Sequence, residues 1–211
     1  VQVEHKRLLE GGCFVVDRGG LDQTSSGDWH QAVVVDRDSG ASAMSQFRVC
    51  LDGIDTPVRR FPDADCVLFV LKGRGTVVIG GRRFDLLPEC GAFIGPGEAF
   101  RIVPVDGALE LLLTVCPQSE EGEWLEQMAE DFDDSYPQRV ALVDEKKREA
   151  TGDRFYQVLV ETRGNRGPVL PGPGRCRARL NADHAVYRRH PAIEITPTFS
   201  HLRRSDHRTI R

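Results

Sequence analysis

The sequence predicts a mainly β protein built around one small barrel or sandwich. Short apolar runs follow one another closely between residues 30 and 116. Clusters of Gly, Pro, Asp and Ser separate them, as turns do. No stretch between them has a helical period, so a doubly wound sheet with crossover helices is excluded.

The elements follow in order. Gln31 to Val35 and Ala43 to Cys50 are predicted strands, parted by the turn cluster Asp36-Arg37-Asp38-Ser39-Gly40. Val67 to Leu71 is a dense apolar run, and Thr76 to Ile79 follows after Lys72-Gly73-Arg74-Gly75. Gly80-Gly81 reads as a two-residue hairpin turn, because glycine takes positive φ at both central positions without steric cost. Arg82 to Leu87 is the returning strand, and Gly91 to Ile94, Phe100 to Val103 and Leu109 to Val115 complete the series. One amphipathic helix is predicted next. Ser119 can cap it, Glu120, Glu121 and Glu123 suit its positive end, and Trp124, Leu125, Met128, Ala129 and Phe132 share one face. Its expected role is packing on the outside of the barrel or on a dimer partner. Arg139 to Val143 and Arg154 to Val160 are further expected strands. Beyond them the pattern collapses, with only Ala192 to Ile195 and Ala185 to Tyr187 as strand candidates. The expected organisation is an N-terminal arm (1–27), a barrel (28–118), a helix and linker (119–153), and an incomplete or degraded second region with an Arg-rich tail (154–211).

The segments Gly53 to Gly73 and Leu86 to Phe100 resemble the two sequence motifs of the cupin family. The first motif runs Gly, five residues, His-x-His, four residues, Glu, six residues, Gly. Gly53 and Gly73 keep the outer positions at that spacing, while Arg59, Phe61 and Cys66 stand where His, His and Glu belong. In the second motif Phe100 stands in place of the last His. Glu89 and Cys90, where the family usually has Gly-Asp, and Gly95, where it often has Pro, are further departures. The resemblance covers about residues 40–116 and implies a double-stranded β-helix, or jelly-roll, barrel. It also implies that all four metal ligands have been replaced in the barrel interior, so no metal is expected there. Arginine does not ligate metal in this setting, phenylalanine has no donor, and one cysteine is not a site. A transition metal is expected only if a complete second cupin exists.

Two readings of the interior stay open. Arg59 with apolar walls from Phe61 and Phe100, beside Cys66, forms a candidate pocket for a small acidic or phosphorylated ligand. Alternatively Arg59 points outward or pairs with Asp63 or Asp65, and the phenylalanines simply fill the barrel. Cys66 as a catalytic thiol needs a base, and no histidine lies between His30 and His184. The six cysteines include no C-x-x-C pair, and reduced thiols serving as small hydrophobes are expected.

Charge divides the chain. Pro168 to Arg211 holds nine arginines against three acids, a balance of +6, leaving −10 for the preceding 167 residues of a chain whose net charge is −4. That net charge argues against general nucleic-acid binding, and the tail lacks the interleaved aromatics of single-strand binders. His184, His190, His201 and His207 have no metal-ligand spacing. Twenty-four arginines against four lysines suggest GC-rich coding DNA. One back-translation of Ser200 to His207, shifted by a base, reads His-Thr-Tyr-Asp-Glu-Val-Ile, which resembles a ligand-bearing cupin motif. An out-of-frame tail is therefore one explanation of its composition. No apolar run approaches the roughly 20 residues that span a bilayer, and no signal-like start is seen, so a cytoplasmic location is expected.

The expected function is a non-metal cupin module for small-molecule binding or dimerisation, without catalysis by this chain alone. A homodimer is expected, since sheet edges need covering. The alternative is a fragment of a two-domain metal-dependent cupin enzyme, a dioxygenase, cyclase or isomerase, with its active site in the second barrel.

Overall fold

The computed structural model describes residues 6–8, 14–16, 21, 23–26, 29–119, 122–136, 138–147, 149–151, 154–157 and 159. The strands in chain order are β1 (Lys6–Leu8), β2 (Phe14–Val16), β3 (Gln23–Ser26), β4 (Trp29–Val35), β5 (Ser45–Leu51), β6 (Val58–Arg60) and β7 (Asp65–Ile79). They continue with β8 (Arg82–Leu86), β9 (Cys90–Ile94), β10 (Phe100–Cys116), β11 (Glu123–Leu125), β12 (Val140–Leu142), β13 (Glu149–Thr151) and β14 (Arg154–Tyr156). Ten of them form one antiparallel sheet in the order β12-β9-β7-β10-β5-β4-β3, with β8 on β7, β6 on β10 and β11 on β6. The pairs β1-β2 and β13-β14 stand as separate two-stranded sheets.

Two long strands organise the sheet. β7 and β10 run antiparallel from Phe100↔Ile79 to Cys116↔Asp65, with register shifts between Val105 and Leu111. The sequence suggested two pieces for each, because Gly73, Gly75 and Gly107 look like breaks. The strands instead bend there and continue. Gly73 has φ 86°, and a Cβ on it would run into the carbonyl oxygen of Ala108 on the facing strand. The glycines admit a close backbone approach rather than ending the strands. The Gly80-Gly81 turn joins β7 to β8 as expected, with φ of 51° and 80°.

Alternation sorts the side chains. Phe47, Val49 and Leu51 of β5, Cys66, Leu68 and Val70 of β7, and Leu109, Leu111 and Leu113 of β10 face one continuous core. Val67, Phe69, Phe93 and Leu112 face the other way. That outer face is covered by Tyr136, Ala141, Val143 and Leu159, so the chain after the barrel folds back onto it. Gln157 ties this cover down, accepting from the Asp144 amide at 2.8 Å and donating to the Leu142 carbonyl at 3.1 Å.

The helix expected from Ser119 to Phe132 is not formed. Among the described residues the helical structure is one 3-10 turn at Glu145–Lys147. Residues 122–136 and 138–142 form a belt on the barrel instead. β11 pairs with β6, Phe132 stacks on Phe84 at 5.9 Å, and β12 pairs with β9. Gly122 weakens the first turn of any helix here. Strand pairing also satisfies Trp124 and Phe132 separately, so tertiary burial overrides the local period. Cys50, Cys66 and Cys90 are free thiols, but Cys116 is disulfide-bonded, contrary to the expectation for all six. Cys13 and Cys176 lie outside the described residues, as do the tail, its four histidines and its strand candidates. No helix of the described residues is long and apolar enough to cross a membrane.

Candidate functional site: a caged arginine in the barrel interior

β6 carries Arg59 between two neighbours. Phe100 of β10 and Trp124 of β11 are its register partners on either side. The loop before β6 is fixed by Thr56, whose amide donates to Ile102 and whose hydroxyl accepts from the Ile102 amide at 2.8 Å. The turn after it is fixed by the Gly97 amide donating to the Phe61 carbonyl at 2.8 Å. These contacts hold Arg59, Phe61 and Phe100 at one end of the core.

The structure brings the four sequence-derived residues together. Arg59, Phe61, Cys66 and Phe100 are 3%, 2%, 1% and 0% exposed. The rings of Phe61 and Phe100 stack at 6.5 Å with 16° between planes. Arg59 turns inward, and no carboxylate pairs with it among the described residues. The alternative in which Asp63 or Asp65 neutralises it is not what forms.

Three aromatic rings surround the guanidinium instead. Its central carbon lies 4.7 Å from the Phe61 ring centroid, 4.7 Å from that of Trp124 and 5.1 Å from that of Trp29. Such contacts offset part of the desolvation of a cation. The Gln31 side-chain oxygen accepts from Arg59 Nη1 at 3.1 Å and from Trp29 Nε1 at 2.8 Å, which fixes the orientation of both groups. Arg59 Nε is buried and has no acceptor. Burial lowers the Arg59 pKa to about 10, partly offset by Cys66, so the guanidinium stays charged at neutral pH. Burial also pushes the Cys66 thiol well above its usual range, which opposes a thiolate role.

Trp29, Gln31 and Trp124 escaped the sequence reading. The helical period from Ser119 to Phe132 puts Trp124 on a helix face, and nothing near Arg59 in the sequence points to β4. A second buried charge also escaped it. Glu98 and Arg139 form a two-pronged ion pair, with Nη1–Oε2 at 2.6 Å and Nη2–Oε1 at 2.7 Å. Glu98 also accepts from the amides of Gly95 and Asp133, and Arg139 donates to the Asp133 carbonyl. This pair fastens the belt to the barrel.

The four residues at the resemblance's ligand positions do not fit a metal. One is a cation, two have no donor atom, and the thiol is held protonated. Among the described residues no group of three His, Cys, Asp or Glu side chains is arranged to hold an ion.

The chain matches cupin-fold proteins. A deletion mutant of Bacillus subtilis oxalate decarboxylase matches at 15% identity and TM-score 0.45, over 52% of this chain and 31% of that one. A putative ethanolamine utilization protein from Salmonella typhimurium matches at 18% and 0.47, over 53% and 92%. The polyketide cyclase RemF from Streptomyces resistomycificus matches at 17% and 0.47, over 53% and 84%. The chain therefore spans about a third of the length of the cupin-fold decarboxylase. No protein-family model matches the sequence, and a search of curated proteins finds no match.

Proposed function

We propose that this chain is a non-catalytic cupin-fold module that binds a small anion at Arg59. One observation carries the reading: a desolvated guanidinium sits in the core with no counter-ion among the described residues and with its Nε unpaired there. Leaving a buried charge uncompensated costs several kcal/mol in general. A fold that needed only packing at this position is better served by an apolar side chain. Retaining the charge makes sense if something negative arrives to meet it.

The test separates a binding arginine from a structural one. Arg59→Met keeps the aliphatic stem and removes the charge. It is expected to leave folding stability unchanged or to raise it by about 1 kcal/mol or more. It is also expected to abolish the heat of binding seen by calorimetry when small acids are titrated into the unaltered chain. An unfolding free energy in urea lowered by more than about 1 kcal/mol, a typical net hydrogen bond, would make Arg59 a structural element and sink the reading. The competing reading, a fragment of a metal-dependent enzyme, needs ligands beyond the described residues. A transition metal bound stoichiometrically by the purified chain would favour it.

A further inference from the structure

We infer that the ligand is a small apolar monocarboxylate, bound edge-on by the Nε side of Arg59 beneath the β11 strap. This rests on the anion reading above and narrows it to one chemical class.

The geometry limits the approach. Rings of Phe61, Trp124 and Trp29 lie against the guanidinium, so an oxygen ligand must come in its plane. Nη1 is already engaged by Gln31, which is itself held by Trp29. The edge left is the one bearing Nε, where Nε–H and a neighbouring Nη2–H point in parallel. Two parallel donors match the two oxygens of one carboxylate.

Charge counting then separates carboxylate from phosphate. Arg59 is the cation inside the cage. The adjacent Arg60 faces the surface, where its Nε lies 3.0 Å from Glu123. Arg101, next to Phe100 on β10, is half-exposed and lies 4.0 Å from Asp55. A monoanion therefore neutralises the site, whereas a phosphate dianion leaves one charge buried without a partner. The walls suit an apolar body, since Phe61 and Trp124 flank the free edge.

Entry follows from what covers that edge. A Cβ placed on Gly122 would lie 2.8 Å from Arg59 Nε and 2.9 Å from both the Phe61 ring and the Arg60 carbonyl oxygen. The strap thus seals the donor edge with a residue that has no side chain. β11 is three residues long and pairs with β6 alone, and Trp124 is 41% exposed. So short a strand at an edge is the part of the sheet that opens at least cost. Lifting it admits the carboxylate to the place that Gly122 vacates.

The chain has two tryptophans, and both flank Arg59, so intrinsic fluorescence reports on this site directly. Sodium propionate and inorganic phosphate are titrated separately into the full chain at constant ionic strength. Propionate is expected to shift the emission saturably, at least tenfold more tightly than phosphate. Arg59→Met is expected to remove the response. Arg59→Lys, which keeps the charge but not the paired donors, is expected to weaken it at least tenfold. Phosphate binding as tightly as propionate overturns the monocarboxylate while leaving Arg59 an anion site. A propionate response unchanged in Arg59→Lys overturns the edge-on geometry. No response to either anion overturns both this inference and the reading it rests on.

Discussion

Replacing Glu98 by Ala is expected to cost about 3–5 kcal/mol of folding stability, because it leaves the Arg139 guanidinium buried without its partner. Arg139 is fully buried on its side chain and Glu98 is 5% exposed. The loss extends beyond the pair, since the Gly95 and Asp133 amides lose an acceptor. Phe132 and Tyr136 pack near the Arg139 guanidinium, at 4.3 and 5.6 Å from its carbon to their ring centroids, so the belt loosens with it. The double variant Glu98→Leu, Arg139→Met is expected to recover most of the loss, because two apolar groups demand no counter-charge. Urea unfolding of the unaltered chain, the single variant and the double variant provides the comparison. A single-variant loss below about 1 kcal/mol, or a double variant no better than the single, contradicts the buried pair as the fastening of the belt.

Phe100→Ala is expected to cost about 3–5 kcal/mol, the usual range for emptying an aromatic position in a packed core. Phe100 is 0% exposed, stacks on Phe61 and pairs in register with both Arg59 and Ile79. Its removal opens a void beside Phe61, whose amide-bonded turn at Gly97 restrains collapse. Val33→Ala at a position 40% exposed supplies the comparison, with an expected change within about 0.5 kcal/mol. Equal urea midpoints for the two variants would show that the barrel end is not packed around Phe100. A phenylalanine this well packed is part of the core.

The sequence made the barrel legible through particular features. Gly80-Gly81 announced its hairpin, and the resemblance framed by Gly53 and Gly73 put Arg59, Phe61 and Cys66 at that motif's ligand positions while leaving open whether Arg59 turns inward. What stayed hidden has a common physical cause. Trp29 and Gln31 reach Arg59 from β4, and Trp124 reaches it from β11; no local period records a meeting between distant strands. Gly73 and Gly75 read as a break because glycine usually ends a strand, yet here it admits the Ala108 carbonyl. The run from Ser119 to Phe132 has a real helical period, but each apolar residue found a different partner on the barrel. Glu98 gave no signal of burial, since its partner Arg139 lies 41 residues away on a separate segment.

The belt has a kinetic consequence. β7 to β10 lie within residues 65–116 and pair largely with one another. Arg139 can engage Glu98 only after the turn at Gly95 to Gly97 has been set between β9 and β10. The ion pair is therefore expected to form after the folding transition state, and interactions formed that late govern unfolding rates more than folding rates. In a stopped-flow chevron, Glu98→Ala is expected to raise the unfolding limb while leaving the refolding limb nearly unmoved; a slowed refolding limb would place the pair in the nucleus instead. On this account the belt does not help the barrel to form. It determines how long the barrel, once formed, survives.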